Sequence, residues 1–296
     1  MQRHNLKWTA LVLFVVFSLL LAACGGGAAP APEVPAPAEE EPAAEEPAME
    51  GEPTAEEEAA PAEEEGPRKV ATFIWTQEFD TLNPLYTNMW FSAITQQLWN
   101  AWAWDFDDQN NPHPVLVAEM PSIENGGISE DGTVITMTLR DDIVWSDGTP
   151  ITSEDFVFTY EMAVDPNNAV ASSYPYDLLV GVEAPDERTV VLTFEEAFAP
   201  WQGTLWHGLL PAHILRPIFE AEGTIDNAEW NLAPTVSCGP FVFAEWESGS
   251  FARFVANENY WLGRPTIDEI FIRFVPDDAS QVAALQAGDG DLGTFI

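Results

Sequence analysis

Residues 68–296 predict a mixed α/β or α+β fold with more than one sheet. Two observations carry this expectation. Short runs of strand length recur along the stretch, some apolar throughout and some alternating. Some of these runs are joined by tight Gly turns as hairpins, and others are separated by helical patterns. The stretch is also long enough to bury a sizeable core in one or two domains.

The elements follow in chain order. VATFIWT, from Val70, is an apolar run suited to a buried strand, and Asn83-Pro84 punctuates the loop after it. FSAITQQLWNAW places Phe91, Ile94, Leu98 and Trp102 on one helical face. WAWDFDD then alternates, with Trp102, Trp104 and Phe106 two apart, as in a half-buried strand. NPHPVLVAEM is a connector broken by proline. Asp131-Gly132 predicts a turn between extended runs, so GGISEDGTVITMTLRDDIVW reads as a hairpin. Ser146–Pro150 is a second turn. Thr152 followed by Asp155 is a capping pattern that opens the helix EDFVFTYEMA, expected to bury Phe156, Val157 and Tyr160. RTVVLTF is a strand, and FAPWQGTLWHGLLPAHIL is an aromatic loop with a short helix. CGPFVFAEWESGSFARFVANENYW gives two strands about a Gly turn, and IDEIFIRFV gives another. Asp278 or Ser280 caps the helix SQVAALQAG, which ends at Gly288.

Two zones precede this part. Residues 1–23 carry Arg3 and Lys7 and then LVLFVVFSLLLAA, an apolar run shorter than the about 20 residues of a membrane span. They read as a secretory signal. Leu21-Ala22-Ala23-Cys24 has the form of a bacterial lipobox, which makes Cys24 the lipid-bearing (palmitoylated) first residue of the mature chain. Residues 24–67 hold fourteen Glu, nine Pro and no base. Such a segment buries too little apolar surface to offset its ordering entropy. It is expected to be a disordered, semi-stiff tether reaching roughly 35–40 Å or more from a membrane surface that faces the periplasm or exterior.

Charge and motifs exclude several classes. The chain carries a net charge of −39, and Lys69 is the only lysine after the tether. Nucleic-acid binding is disfavoured, because phosphate contacts need Lys and Arg. No Walker, GxGxxG, GxSxG or HExxH pattern occurs, and His4, His113, His207 and His213 have no metal-ligand spacing to one another or to Cys238. No cofactor or metal is expected. His207 and His213 read as surface or packing residues. With Cys24 lipidated, Cys238 stands alone and reads as a small buried residue.

The stretch LRDDIVWSDGTPITSEDFVFTY gathers Asp141, Asp142, Asp147, Glu154 and Asp155. Each has a local role. Asp141 and Asp142 point to opposite faces of a strand, Asp147 belongs to a turn, and Glu154 and Asp155 suit a first helical turn. AGDGDLG, with Asp289 and Asp291, reads as a helix end entering a strand rather than a calcium loop. Twelve Trp, several in loops, suit a pocket for peptides, sugars or flat ligands.

The same stretch resembles the signature segment of the family 5 extracellular solute-binding proteins, the oligopeptide, dipeptide and nickel receptors of ABC importers. TLNPLYTN, QQLWNAWAWDFDDQNNPHPVLVAEM, LLPAHIL, CGPFVFAEWESGSFARFVANENYW and VAALQAGDGDL are similar to further family segments in the same order. The resemblance implies a periplasmic-binding-protein-like fold (type II, large cluster with an extra domain) whose two lobes close on a solute. It implies no enzyme activity, a peptide or other small solute as ligand, a membrane ABC permease as partner, and a monomer. Family members are longer, so residues 68–296 are expected to be the N-terminal lobe only, with one wall of the cleft. Matching positions imply substrate contacts at Thr87, Asn88, Trp90, Tyr174 and Tyr176, and weaker ones at Trp206 and Cys238. The alternative is a secreted acid-pair hydrolase using Glu195 or Glu196.

Overall fold

A computed structural model describes residues 68–294. The leader, Cys24 and the tether all lie outside the described residues. Strand β1 (Val70–Trp75) sits inside a five-stranded mixed sheet of order β10-β1-β9-β8-β7. It runs parallel to β9 (Glu269–Phe274) on one side and to β10 (Leu292–Gly293) on the other. The hairpin β7 (Phe241–Glu247) and β8 (Phe251–Ala256) completes the sheet. Alternation orients these strands: Ala252, Phe254 and Ala256 of β8, with Ile270, Ile272 and Phe274 of β9, are buried.

A second, antiparallel sheet has the order β4-β6-β5: Val134–Thr138, Thr189–Phe194 and Leu179–Asp186. Ile135 faces Leu192 across it, and Met137 faces Val190. The Asp131-Gly132 turn exists, with Ser129 donating to the Val134 carbonyl at 2.9 Å. The principal partner of β4, however, is β6, some fifty residues on, rather than its expected hairpin mate. β5 itself carries a weak pattern, with exposed Val180 and a register shift, which hid it in the sequence.

Helix α1 (Trp90–Trp99) buries Phe91, Ser92, Thr95, Gln96 and Trp99. The expected face of Phe91, Ile94, Leu98 and Trp102 is therefore rotated, and the helix stops before Trp102. Polar residues can occupy the buried face because they are satisfied: Thr95 donates to the Phe91 carbonyl at 2.7 Å, and Ser92 donates to Asp80 at 2.8 Å. β2 (Trp104–Phe106) pairs with β3 (Pro112–Pro114), so the proline-broken connector contains a short edge strand.

Helix α2 (Ser153–Val164) buries Asp155, Phe156, Phe158, Thr159, Met162 and Ala163, leaving Val157 and Tyr160 half-buried. Its buried arc is wide because it packs on β5 and β6 and also against α3 (Ala212–Glu222). Helix α4 (Asp278–Ala287) is capped by Asp277, which accepts from Ser280 N–H at 2.8 Å. Of the two expected caps, Asp278 is the first helical residue and Ser280 supplies the N–H that is capped. The helix ends on left-handed Gly288. One continuous apolar core joins both sheets.

Candidate solute-binding wall

Two loops far apart in sequence meet at one cavity. The first follows β1. Its shape is fixed by Asn83, which is fully buried and donates from Nδ2 to Asn231 Oδ1 at 2.7 Å. Asn83 Oδ1 also accepts from Leu85 N–H at 2.9 Å, an Asx turn within the loop. The Asn231 carbonyl accepts from Leu82 N–H at 2.9 Å and from the Thr81 hydroxyl at 2.8 Å. Beyond this anchor, Thr87 donates to Asp80 at 2.7 Å and accepts from Met89 N–H at 3.0 Å. Hydrogen bonds to Thr87 and Ser92 hold the Asp80 carboxyl below its usual range, against the opposing effect of burial.

The second loop joins α2 to β5. Ala171 N–H donates to the Leu85 carbonyl at 2.8 Å, which ties the two loops together. Asp226 reinforces the tie by accepting from Tyr86 at 2.6 Å and from Ala169 N–H at 2.9 Å. The Tyr174-Pro175 bond is cis. Tyr174 is 57% exposed, and its ring meets Phe198 edge-on. Tyr176 is buried and accepts Trp206 N–H at 3.1 Å. Burial raises the Tyr176 pKa, so the phenol is neutral and its oxygen is already committed.

These loops and the 204–208 segment enclose a cavity of about 200 Å³. Thr87, Asn88, Tyr174 and Tyr176, four of the residues singled out from the sequence, line it together. Gly208 closes its floor at φ +147°. A Cβ there would lie 2.6 Å from Pro84 Cβ, so only glycine lets the two loops approach this closely.

The other three sit elsewhere. Trp90 is 52% exposed on the first turn of α1, its ring edge-on to Phe91. Trp206 is buried against Phe156 and Tyr176. Cys238 is fully buried, with its thiol donating to Asn100 Oδ1 at 3.2 Å and accepting from Ala101 N–H at 3.1 Å. It serves the end of α1, and burial pushes its pKa up to about 12. Neighbouring Gly239 allows this, since a Cβ there would fall 2.5 Å from the Trp99 carbonyl carbon.

His207, which the sequence placed among surface or packing residues, also lines the cavity. No spacing rule identifies a lone histidine in an aromatic loop. Its ring stacks on Trp102 at 4.7 Å, and its buried Nε2 has no protein partner.

The acidic signature stretch is structural. Arg140 grips Asp142 through two bonds, at 2.8 and 2.6 Å. Asp147 accepts from Thr149 N–H and lies 2.9 Å from His213 Nε2. Asp155 accepts from Thr152 N–H, closing the capping box, and from Ala212 N–H. Glu195 and Glu196 line a separate cavity of about 300 Å³ with Asp177 and Phe198.

The sequence profile of the bacterial extracellular solute-binding proteins, family 5, matches residues 111–296. This chain belongs to that family. Its curated relatives include the probable D,D-dipeptide-binding periplasmic protein DdpA of Escherichia coli, 32% identical over 57% of this chain and 32% of the relative. The oligopeptide-binding protein AppA of Bacillus subtilis is 26% identical over 68% of this chain and 34% of its own length. Among solved structures, NikZ from Campylobacter jejuni in complex with Ni(L-His) superposes with a TM-score of 0.67 at 24% identity, covering 76% of this chain and 43% of that one. B. subtilis AppA in complex with a nonapeptide gives 0.64 at 24% identity, over 76% and 44%. The fold is thus that of the family 5 binding proteins. This member spans about a third of the length of the curated relatives it matches.

Proposed function

We propose that this protein is the solute-capturing component of an ABC importer, with peptides as its leading ligand class, and that the cavity at Thr87, Asn88, Tyr174 and Tyr176 is part of its binding wall. One observation carries the reading. Two loops more than eighty residues apart are tied by the Ala171–Leu85 hydrogen bond and through Asp226, so that neutral polar and aromatic side chains converge on an open cavity, in a member of a solute-binding family. Such a surface suits an extended peptide, whose main-chain groups supply affinity and whose side chains are read loosely. The names of DdpA and AppA support peptides over the acid-pair hydrolase. The role is recognition without chemistry. Delivery to a membrane permease follows, and Trp90 is assigned to the exposed rim of the wall.

We infer further that residues 1–23 are a cleaved leader, that Cys24 bears the lipid, and that residues 24–67 tether residues 68–296 outside the membrane. Labelled palmitate should enter the native chain and not the Cys24→Ser variant.

Titration of the full chain with peptide pools, sugars and nickel tests the ligand class by intrinsic Trp fluorescence. The expected result is a saturable change with peptides alone. Saturation by a sugar or by nickel, with peptides silent, would overturn the assignment.

A further inference from the structure

A third stretch of chain, residues 224–231, is bonded to both loops of the wall. It follows α3, which ends on left-handed Gly223. Toward the first loop, Asn231 pairs with Asn83, and its carbonyl takes Leu82 N–H and the Thr81 hydroxyl. Toward the second loop, Asn168 Oδ1 accepts Ile225 N–H at 2.9 Å and the Thr224 hydroxyl at 3.0 Å. Asn168 is itself buried, and its Nδ2 donates to the Met162 carbonyl at 3.1 Å. The stretch is braced internally, because Asn231 Nδ2 donates to the carbonyls of Ile225 at 2.8 Å and Asp226 at 3.1 Å.

Within this stretch, Asp226 is the side chain that bonds to both loops. Its Oδ1 accepts the Tyr86 hydroxyl at 2.6 Å and Ala169 N–H at 2.9 Å, so one atom sets how far apart the two loops stand. Burial opposes the ionised carboxyl, but hydrogen bonds from Tyr86, Ala169 and Thr224 outweigh it and hold the group below its usual range. The acceptor is therefore charged near neutrality, and its bonds are of the stronger, charge-assisted kind. Burial and this carboxylate push the Tyr86 phenol up, so it stays a donor. None of residues 224–231 borders the wall cavity, so they act on it only through the loops. Thr87 and Asn88 directly follow Tyr86, while Ser172 and Tyr174 follow Ala169 closely; all four line the cavity.

We propose that Asp226 is a positioning residue of the solute wall: without touching the solute, it sets the spacing of the two loops and thereby the affinity of the cavity between them. This rests on the peptide-receptor reading. It adds that part of the affinity is determined behind the wall, where one carboxylate spares the solute the cost of ordering two loops.

Calorimetry with a pool of tri- to pentapeptides, on the full chain and well below its thermal midpoint, tests the claim. Asp226→Ala should bind roughly tenfold more weakly, through lost preorganisation. Asp226→Asn keeps an oxygen for both donors and should recover most of that loss. Tyr86→Phe should show a smaller loss, and adding it to Asp226→Ala should cost nothing more, because both changes break the same bond. Tyr86→Phe carries the test if Asp226→Ala fails to fold. Hydrogen exchange, which needs no solute, should quicken at Ala169 and Ala171 in Asp226→Ala while the β8 and β9 amides stay protected. A lower thermal midpoint with native affinity would make Asp226 merely structural and overturn the proposal, leaving the receptor reading intact. Equal losses in Asp226→Asn and Asp226→Ala would also overturn it, since charge and not loop spacing would then be at work. No peptide binding by the native chain would overturn the receptor reading and the affinity claim with it.

Discussion

Asp155 accepts the backbone N–H of Ala212 at 2.9 Å, fifty-seven residues away, while its other carboxylate oxygen accepts Thr152 N–H at 2.9 Å. One buried side chain thus caps α2 and fixes the start of α3. Desolvation raises its pKa against both hydrogen bonds. Asp155→Ala should cost about 2–4 kcal/mol, the sum of a lost cap and an unpaired buried N–H. Urea denaturation measures this. A cost under about 0.5 kcal/mol, typical of surface substitutions, would refute the double role.

Asn83→Ala leaves the Asn231 amide without its buried partner and frees the Asx turn at Leu85. The expected destabilisation is about 1–3 kcal/mol. Hydrogen exchange should also speed up at Leu85, whose N–H loses its acceptor, while the β8 and β9 amides stay protected. Uniform loss of protection would mean that the pair supports the whole domain and not this loop.

Cys238 is predicted to be chemically silent. In a Cys24→Ser chain, a thiol reagent at about pH 8 should label Cys238 on the timescale of unfolding, and rapidly once urea is added. Its burial and a pKa of about 12 leave almost no thiolate at that pH. Rapid labelling of the folded protein would contradict the packing at the end of α1.

His207 should tilt stability with pH. Its folded pKa lies below the ordinary 6.5. As pH falls through 6.5, the unfolded chain takes up a proton that the folded chain refuses, so stability declines down to the folded pKa. Above 6.5 this contribution is fully present. The thermal midpoint of His207→Gln should therefore fall less than that of the native chain on acidification across this window. Parallel curves would place the ring in solvent.

Local signals were legible where burial follows a simple period. β8 and the Gly249 hairpin appear in FVFAEWESGSFARFVA, and β9 in IDEIFIRFV, because their alternation matches a half-buried sheet. The capping box at Thr152 and Asp155 was legible because it spans four residues. The faces of α1 and α2 were misjudged for one reason. Ser92, Asp155 and Thr159 are buried because partners outside their own helices satisfy them, and Thr95 because it donates back to the Phe91 carbonyl; Thr159, for instance, accepts from Leu210 N–H at 3.0 Å. Hydropathy reads the side chain and not its partner. β3 and β5 escaped notice because prolines in the first and exposed Val180 in the second blur the strand pattern.

The sequence by itself pointed to the family, to most of the strands and helices, and to four residues that line one cavity: Thr87, Asn88, Tyr174 and Tyr176. Motif order survives without coordinates because each motif is a local solution to turn, cap or strand geometry. The tertiary structure decided that Trp206 and Cys238 belong to the core, that Asp155 links two helices, and that His207 joins the wall with a free nitrogen. Those outcomes depend on which distant segments meet. Sheet order and the Asn83–Asn231 and Ala171–Leu85 ties set that, through hydrogen bonds that no window along the chain contains.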